Sequence, residues 1–164
     1  RLGRAMALYL AERGFDVVAT EVSESALADA IRNGESSPAS DRISFVIDDI
    51  ADSRLETDSF DVVLDRGCFH SICCFAPDDF VEHIKRVSKA DGLILIKAMS
   101  IEEDRFVQYD TIGSKKLPMP FRFTRAQLDG FFRESFSECE IRESAFYSNN
   151  ISPPAKAWLA ILRP

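Results

Sequence analysis

Short apolar runs with β propensity, separated by stretches of helical periodicity, limit the folds open to this chain. The runs cover residues 15–21, 43–47, 60–65 and 93–96, and the helical patterns cover 2–13, 23–34 and the segments that begin at Pro77 and Thr124. Strands that alternate with helices form a parallel sheet covered by helices on both faces. Two later β-prone runs, 140–147 and 156–162, are joined only by a loop and should pair antiparallel.

This order predicts an α/β fold, with a mostly parallel sheet, helices on both faces and a C-terminal antiparallel hairpin. The 164 residues suit one domain with a single core. Between residues 100 and 123 the periodicity is lost, and a segment of that length is typical of a functional lid.

Charge and composition narrow the classes of partner. The formal net charge is −7 and the isoelectric point is near 4.9, which disfavours nucleic acid because phosphate binding needs clustered Lys and Arg. No apolar run is long enough to cross a bilayer, so we expect no membrane partner and a cytoplasmic protein with a small-molecule substrate. The sequence gives no indication of the oligomeric state. The cysteines fit no secreted disulfide framework and are expected to be reduced.

The stretch 59–74 holds the densest set of reactive groups. Its apolar run 62–64 is flanked by Asp61 and Asp65, a pattern typical of a central strand buried on both faces. Ligands of open α/β sheets bind beyond the carboxyl ends of the strands. We therefore expect chemistry, if the chain performs any, to begin in the phrase 65–70, Asp-Arg-Gly-Cys-Phe-His.

Acidic residues follow three of the β-type runs, at Glu21, Asp49 and Asp65. In nucleotide-binding α/β folds, an acid about 20 residues beyond a Gly-rich turn accepts hydrogen bonds from ribose hydroxyls, and Glu21 lies at roughly that distance from Gly3. Asp49 could accept from an adenine amino group while the N–H of Ile50 serves a ring nitrogen. The plainer alternatives are that Glu21 caps the next helix and that Asp49 is a solvated acid.

These segments together resemble the class I S-adenosylmethionine-dependent methyltransferases, whose fold is Rossmann-like. The runs 17–21, 45–49 and 60–65 look like the family's ribose-side, adenine-side and central strands, and 91–96 is similar to its fifth strand. The resemblance implies S-adenosylmethionine as cofactor, with Gly3, Glu21, Asp49, Ile50 and Asp65 as its binding residues. It also implies that the family's first strand and Gly-rich turn should precede Arg1 and are missing.

The phrase 65–70 looks like a small-molecule branch near the thiopurine and tellurite methyltransferases. The resemblance implies attack by a sulfur, oxygen or nitrogen nucleophile on the sulfonium methyl group, a step in which positioning alone supplies about 7–11 kcal/mol. His70 is the candidate catalytic base because an ordinary His pKa is about 6.5, and Asp65 is expected to orient cofactor or substrate. A hydrogen-bonded structural role is the alternative for His70.

Other features carry weaker hypotheses. Cys68, His70, Cys73 and Cys74 match no zinc signature, so no metal is expected. An apolar substrate pocket or plain core packing accounts for a set of aromatic residues: Phe69, Phe75, Phe106, Tyr109, Phe121 and Phe123. Two functions remain as alternatives to methyl transfer. One is an inactive cofactor-binding domain that acts through a protein partner, and the other is an NAD-dependent oxidoreductase.

Overall fold

The protein is organised as two compact units. The structure, a computed structural model, describes residues 2–34, 38–105, 108–112, 115–148 and 151–164. Contacts divide the chain into Arg1–Leu55, the N-terminal unit, and Glu56–Pro164, the C-terminal unit. The single domain expected from the length stays a prediction. No helix in the described part is long and apolar enough to cross a membrane.

The N-terminal unit is a parallel strand pair with two helices. Its elements are α1 (Leu2–Ala11), β1 (Val17–Glu21), α2 (Glu24–Gly34), a 3-10 helix (Ser40–Arg42), β2 (Ile43–Ile47) and a second 3-10 helix (Ile50–Asp52). β1 and β2 run parallel, with Val17 opposite Ile43 and Glu21 opposite Ile47. Gly14, at φ +91°, ends the turn after α1, a conformation that suits glycine because it lacks a Cβ. The strand and helix order predicted for this part is confirmed.

The C-terminal unit contains a mixed sheet. Its elements are β3 (Phe60–Arg66), α3 (Phe69–Ile72), α4 (Pro77–Val87), β4 (Ser88–Met99), β5 (Gln108–Ile112), β6 (Lys115–Met119), α5 (Arg125–Phe132), β7 (Glu138–Ser148) and β8 (Ile151–Arg163). The four-stranded sheet has the order β3-β4-β8-β7, in which β3–β4 is parallel and both β4–β8 and β8–β7 are antiparallel. The antiparallel hairpin at the end of the chain is therefore present. One of the three strand pairings of this sheet is parallel, so the sheet is mixed, and the expected mostly parallel topology stays a prediction.

β3 lies at the edge of this sheet. Two apolar side chains of the strand are partly exposed, Val62 at 43% and Leu64 at 38%. That the run 62–64 forms a central strand buried on both faces stays a prediction. An apolar run indicates that a strand can be buried, but its neighbours are set by residues far away in the sequence.

Aromatic rings form the core of the C-terminal unit. Phe69 of α3 is fully buried, and its ring centroid lies 4.9 Å from Phe80, 5.5 Å from Phe123 and 5.1 Å from Phe132. Burial of one such side chain contributes roughly 1.5–3 kcal/mol. α5 enters this core through a capping box, in which Thr124 accepts from the Gln127 N–H and the Gln127 side chain accepts from the Thr124 N–H.

The segment predicted to be an irregular lid contains a strand pair. β5 and β6 pair antiparallel, with Gln108 opposite Met119. The two ends of the excursion are held together, since the Phe123 N–H donates to the Met99 carbonyl at 3.0 Å and the Ile101 N–H donates to the Phe123 carbonyl at 2.9 Å. A lid function for this segment stays a prediction.

Candidate functional site

The two acids expected at the ends of β1 and β2 lie at one edge of the N-terminal unit. The parallel register places Glu21 opposite Ile47, and the Asp48 N–H donates to the Glu21 carbonyl at 3.2 Å. Asp49 follows directly. The carboxyl ends of the two strands therefore bring Glu21 and Asp49 to the same edge, as the strand alternation predicted.

Both carboxylates also hold the backbone that follows them. The Glu21 Oε1 accepts from the N–H groups of Val22 at 3.0 Å and Ser23 at 3.2 Å. The Asp49 Oδ1 accepts from the Ala51 N–H at 3.0 Å and caps the second 3-10 helix. Glu21 thus holds the turn before α2, whereas the N-cap of that helix is Ser23, whose Oγ accepts from the Ala26 N–H at 3.3 Å. The alternative that Glu21 itself caps the helix stays a prediction. Among the described residues the Glu21 carboxylate accepts through Oε1 alone, so Oε2 has acceptor capacity left for a ligand.

Asp48, which the sequence argument passed over, is the buried acid of this edge. Its side chain is 8% exposed, and Oδ1 accepts from the Arg54 N–H at 2.8 Å. Oδ2 is buried and has no hydrogen-bond partner within the described ranges. Adjacent acids in the sequence do not reveal which one turns inward.

In the C-terminal unit, Asp65 holds the turn between β3 and α3. Its side chain is 7% exposed; Oδ1 accepts from the Cys68 N–H at 2.6 Å and Oδ2 from the Phe69 N–H at 2.9 Å. Burial raises the pKa of Asp65 to about 6, although the N–H groups of Phe69, Cys68 and Gly67 act in the opposite direction. With both oxygens engaged by backbone, Asp65 is placed to shape the turn.

Gly67 allows this turn to close on His70. Gly67 has φ +105°, and a Cβ built on it would lie 3.0 Å from both Cε1 and Nε2 of the His70 ring. A side chain at this position would therefore meet the imidazole and strain the backbone. The position of the His70 ring depends on the absence of a side chain at residue 67.

The hydrogen bonds of His70 define its tautomer. The imidazole is 9% exposed, and Nδ1 accepts from the Met99 N–H at 3.2 Å. Burial, and secondarily the positive charge of Arg122, lower the pKa of His70 to about 4. The ring is therefore neutral near pH 7, and because Nδ1 is an acceptor the hydrogen lies on Nε2.

This tautomer does not suit the predicted general base. Nδ1 is already occupied by the Met99 N–H, and Nε2 already carries its hydrogen, so neither nitrogen offers a lone pair to a substrate proton. The arrangement favours a hydrogen-bond donor at Nε2. The sequence identified the residue and its position after the strand, but the partner that fixes the proton comes from β4.

One ion pair and a buried arginine lie near His70. Glu103 is 2% exposed; its Oε1 and Oε2 accept from Nε and Nη2 of Arg105, each at 2.7 Å. Arg122 is 6% exposed and donates through Nε to the Glu103 carbonyl and through Nη2 to the Arg105 carbonyl, each at 2.7 Å. Arg105 lowers the pKa of Glu103 to about 2. The Phe121 N–H donates to the His70 carbonyl at 2.7 Å, so the segment containing Arg122 is tied to α3.

The aromatic residues proposed for a substrate pocket separate into different environments. Phe69 and Phe123 are core residues, Phe75 is 65% exposed and Tyr109 is 58% exposed. Phe121 is half-buried and lines a shallow concavity with Gln127, Gly130 and Phe131. Phe106 lies outside the described residues. Core packing therefore accounts for the two Phe residues at the centre of the set.

Sequence reasoning missed three groups near His70. Lys97 and Phe146 belong to β4 and β7 and approach the end of β3 only through strand pairing, and Arg122 lies in the irregular segment before α5. The sequence did offer a signal for Lys97, which is a single charged residue between the apolar run 93–96 and Ala98.

Solved structures share this fold. An S-adenosylmethionine-dependent methyltransferase from Methanosarcina mazei superposes with a TM-score of 0.73 and 14% identity, over 95% of this chain and 85% of that one. The glycopeptide N-methyltransferase MtfA in complex with S-adenosylmethionine gives 0.72 and 15%, over 99% and 78%. A TehB-like S-adenosylmethionine-dependent methyltransferase from Corynebacterium glutamicum gives 0.59 and 15%, over 98% and 75%. At these identities the likeness concerns the α/β methyltransferase fold.

Sequence comparison adds family membership. An uncharacterised methyltransferase of Schizosaccharomyces pombe is 30% identical over 94 residues, which are 57% of this chain and 63% of that protein. The match thus spans less than two thirds of the relative. Residues 3–96, more than half of the chain, match the family model described as a methyltransferase domain. The chain belongs to the methyltransferase domain family.

Proposed function

We propose that this protein transfers the methyl group of S-adenosylmethionine to a sulfur, oxygen or nitrogen nucleophile of a small molecule. The family match over residues 3–96 carries this proposal. The complex of MtfA with S-adenosylmethionine, a protein of the same fold, supports the choice of cofactor.

The acid edge of the N-terminal unit suits the adenosine part of this cofactor. Glu21 uses Oε1 for its own backbone, and its carboxylate has acceptor capacity left for ribose hydroxyls. Asp49 is exposed and can accept from an adenine amino group, with the Ile50 N–H as the proposed donor to a ring nitrogen. Gly3 lies in the first turn of α1, where a small residue allows close approach of a ligand. The buried Oδ2 of Asp48 is a further unmatched acceptor at this edge.

When bound, S-adenosylmethionine supplies an electrophilic methyl group on a positively charged sulfur. The chain's contribution is then positioning. Asp65 holds the turn that carries His70, and His70 offers an Nε2–H that can orient the acceptor by a hydrogen bond. Asp65 is therefore proposed as a positioning residue, and His70 as a donor to the substrate.

A nucleophile that reacts without a protein base fits this arrangement. A thiolate needs no proton removed, and an amine reacts through its lone pair and can lose its proton to water afterwards. The resemblance of the phrase 65–70 to a small-molecule branch near the thiopurine and tellurite methyltransferases supports a small acceptor. We therefore place thiols and amines ahead of alcohols.

Calorimetric titration with S-adenosylmethionine, S-adenosylhomocysteine and NAD tests the cofactor. We expect both adenosyl ligands to bind and NAD to bind at least about tenfold more weakly, a difference of roughly 1.4 kcal/mol. Binding of NAD alone would favour the oxidoreductase alternative and overturn the proposal.

Formation of S-adenosylhomocysteine with a panel of thiols, amines and phenols tests transfer. Turnover with at least one class is expected. If the protein binds S-adenosylmethionine and no member of the panel is methylated, the inactive cofactor-binding alternative gains support.

A further inference from the structure

Two cationic side chains lie next to each other at the carboxyl end of the β3–β4 pair. Arg66 is the last residue of β3, and it is the register partner of Lys97 on β4. Both point to the same face of the sheet because paired residues of neighbouring strands share a face. Both side chains are half-buried. The C-terminal unit thus concentrates two positive charges one residue away from Asp65.

The two cations flank a single aromatic ring. The Arg66 Cζ lies 5.2 Å and the Lys97 Nζ 5.9 Å from the centroid of Phe146. Each cation is also held by a backbone carbonyl of β7, since Arg66 Nη2 donates to the Tyr147 carbonyl at 3.1 Å and Lys97 Nζ to the Ala145 carbonyl at 3.1 Å. Both charged groups are therefore fixed in place.

The same ring contacts the imidazole of His70. The centroids of His70 and Phe146 are 5.8 Å apart in an edge-on arrangement. A molecule that packs on Phe146 would therefore lie within reach of the two cations and of the His70 ring. The cationic pair belongs to the surroundings of the candidate acceptor site.

Within the residue ranges that the structure describes, no carboxylate forms an ion pair with Arg66 or Lys97. The Arg66 Nη1 is buried and has no hydrogen-bond partner among the described residues. Buried guanidinium donors are normally hydrogen-bonded, and leaving one unmatched is unfavourable. Burial, and then the charge of Arg66, also lower the pKa of Lys97.

We propose that Arg66 and Lys97 bind an anionic oxygen group, a carboxylate or a phosphate, carried by the methyl acceptor. The anion accepts from the unmatched Nη1 of Arg66 and from the Lys97 ammonium, and the apolar body of the acceptor packs on Phe146. Charge-assisted hydrogen bonds of this kind are about twice as strong as neutral ones. The inference rests on the proposed methyl transfer and specifies its substrate class.

Binding of simple aromatic anions tests the site independently of catalysis. Benzoate and phenyl phosphate are titrated into the protein and followed by NMR, with benzamide as the neutral probe. We expect shifts at Arg66, Lys97 and Phe146 with at least one anion and none with benzamide. The anion that binds more tightly identifies the anionic group of the acceptor as a carboxylate or a phosphate. Equal response to benzamide, or no anion response at these residues, overturns the proposal.

Variants that remove one positive charge distinguish anion binding at this site from nonspecific attraction to the protein's positive charges. Arg66→Gln and Lys97→Gln are each expected to lower the affinity of the protein for the anion by about tenfold. The matched control is Arg142→Gln on β7, whose charge is paired with Glu140 at 2.6 Å and exposed; it should change the affinity less than about twofold. If the two test variants lose thermal stability while anion affinity equals that of the control, the cations are only structural and the proposal fails.

Transfer assays distinguish failure of this inference from failure of the proposed function. 4-Mercaptobenzoate and 4-mercaptobenzamide differ in the anionic group and share the thiol. The carboxylate is expected to have the higher kcat/KM by about tenfold, through a lower KM. Equal methylation of both contradicts the anion site and leaves methyl transfer standing. Anion binding without methylation of any thiol, amine or phenol of the panel contradicts methyl transfer and leaves the anion site standing.

Discussion

The Nδ1 atom of His70 accepts a hydrogen bond from the amide of Met99 at 3.2 Å. The two residues come from α3 and β4, so the tertiary fold assigns the proton of this histidine. The consequence is a neutral ring whose only available hydrogen lies on Nε2. His70 can therefore act on a substrate as a hydrogen-bond donor through Nε2–H.

The pH dependence of turnover should show no limb from His70 near neutrality. Burial lowers the pKa of His70 to about 4, so the imidazole stays neutral from pH 5.5 to 8. The matched variants are His70→Asn, which can keep an acceptor for the Met99 N–H, and His70→Gln, which can offer a donor in place of Nε2–H. Initial rates with saturating cofactor measure the effect. A pH limb near 6.5 that disappears in both variants would restore the general base.

The same histidine should make stability fall as the solution is acidified. Its folded-state pKa lies below the ordinary 6.5, so the unfolded chain binds the proton more readily. Stability contributed by neutral His70 is therefore present above pH 6.5 and is lost as pH falls towards 4, by at most about 1.4 kcal/mol per pH unit. Denaturant unfolding of the wild type and of His70→Gln across this range measures the difference. An unchanged difference between the two at pH 4.5 and pH 7 contradicts the assignment.

Asp65 should show the opposite trend. Burial raises the pKa of Asp65 to about 6, above the ordinary 3.8. The stability that this group contributes is therefore present below pH 3.8 and is lost as pH rises through 6. Asp65→Asn removes one acceptor from the turn to α3 and should cost about 1–3 kcal/mol. The cost should be larger at pH 4 than at pH 7. A cost that grows with pH would show that the N–H groups of Cys68 and Phe69 outweigh burial.

The acid edge of the N-terminal unit could be predicted from the local alternation of strands and helices. The features that were not predicted depend on pairing between strands that are distant in the sequence. Strand alternation placed Glu21 and Asp49 at the same edge because Glu21 is the last residue of β1 and Asp49 lies two residues beyond the end of β2. The position of β3 at a sheet edge depends on which strand lies beside it, and the Arg66–Lys97 pair depends on the register between β3 and β4. No local periodicity reports such pairings.

Gly67→Ala should damage the turn that carries His70. The added Cβ would lie 3.0 Å from the imidazole, and the backbone at φ +105° disfavours any side chain. We expect a loss of about 1–3 kcal/mol in the free energy of unfolding and a lower turnover. Gly130→Ala is the control, because a Cβ there meets nothing within 4 Å and alanine favours the helix. Equal stability changes in the two variants would remove the argument for close approach.

The buried Glu103 and the half-buried Arg105 should behave as a coupled pair. Glu103 is 2% exposed, whereas Glu140, which pairs with Arg142, is an exposed acid. Glu103→Gln or Arg105→Met alone should lower the free energy of unfolding, because each leaves its partner without a counter-ion, and the double variant should cost less than the sum. Glu140→Gln should cost less than Glu103→Gln, because the pair that it breaks is exposed. Additive single costs in chemical denaturation would contradict coupling.

Substitution of Glu21 tests the adenosine assignment, and the choice of variant decides how clearly. Glu21→Ala removes the acceptor of the Val22 and Ser23 N–H groups as well as any ligand contact. Glu21→Gln can keep one carbonyl oxygen for those N–H groups and loses the second acceptor that a ribose diol requires. We expect Glu21→Gln to lower the affinity for S-adenosylmethionine by about 10–100-fold in calorimetry, with a melting temperature near that of the wild type. Glu24→Gln, in the exposed first turn of α2, is the charge-matched control. Full affinity in Glu21→Gln would show that this carboxylate serves only the turn after β1.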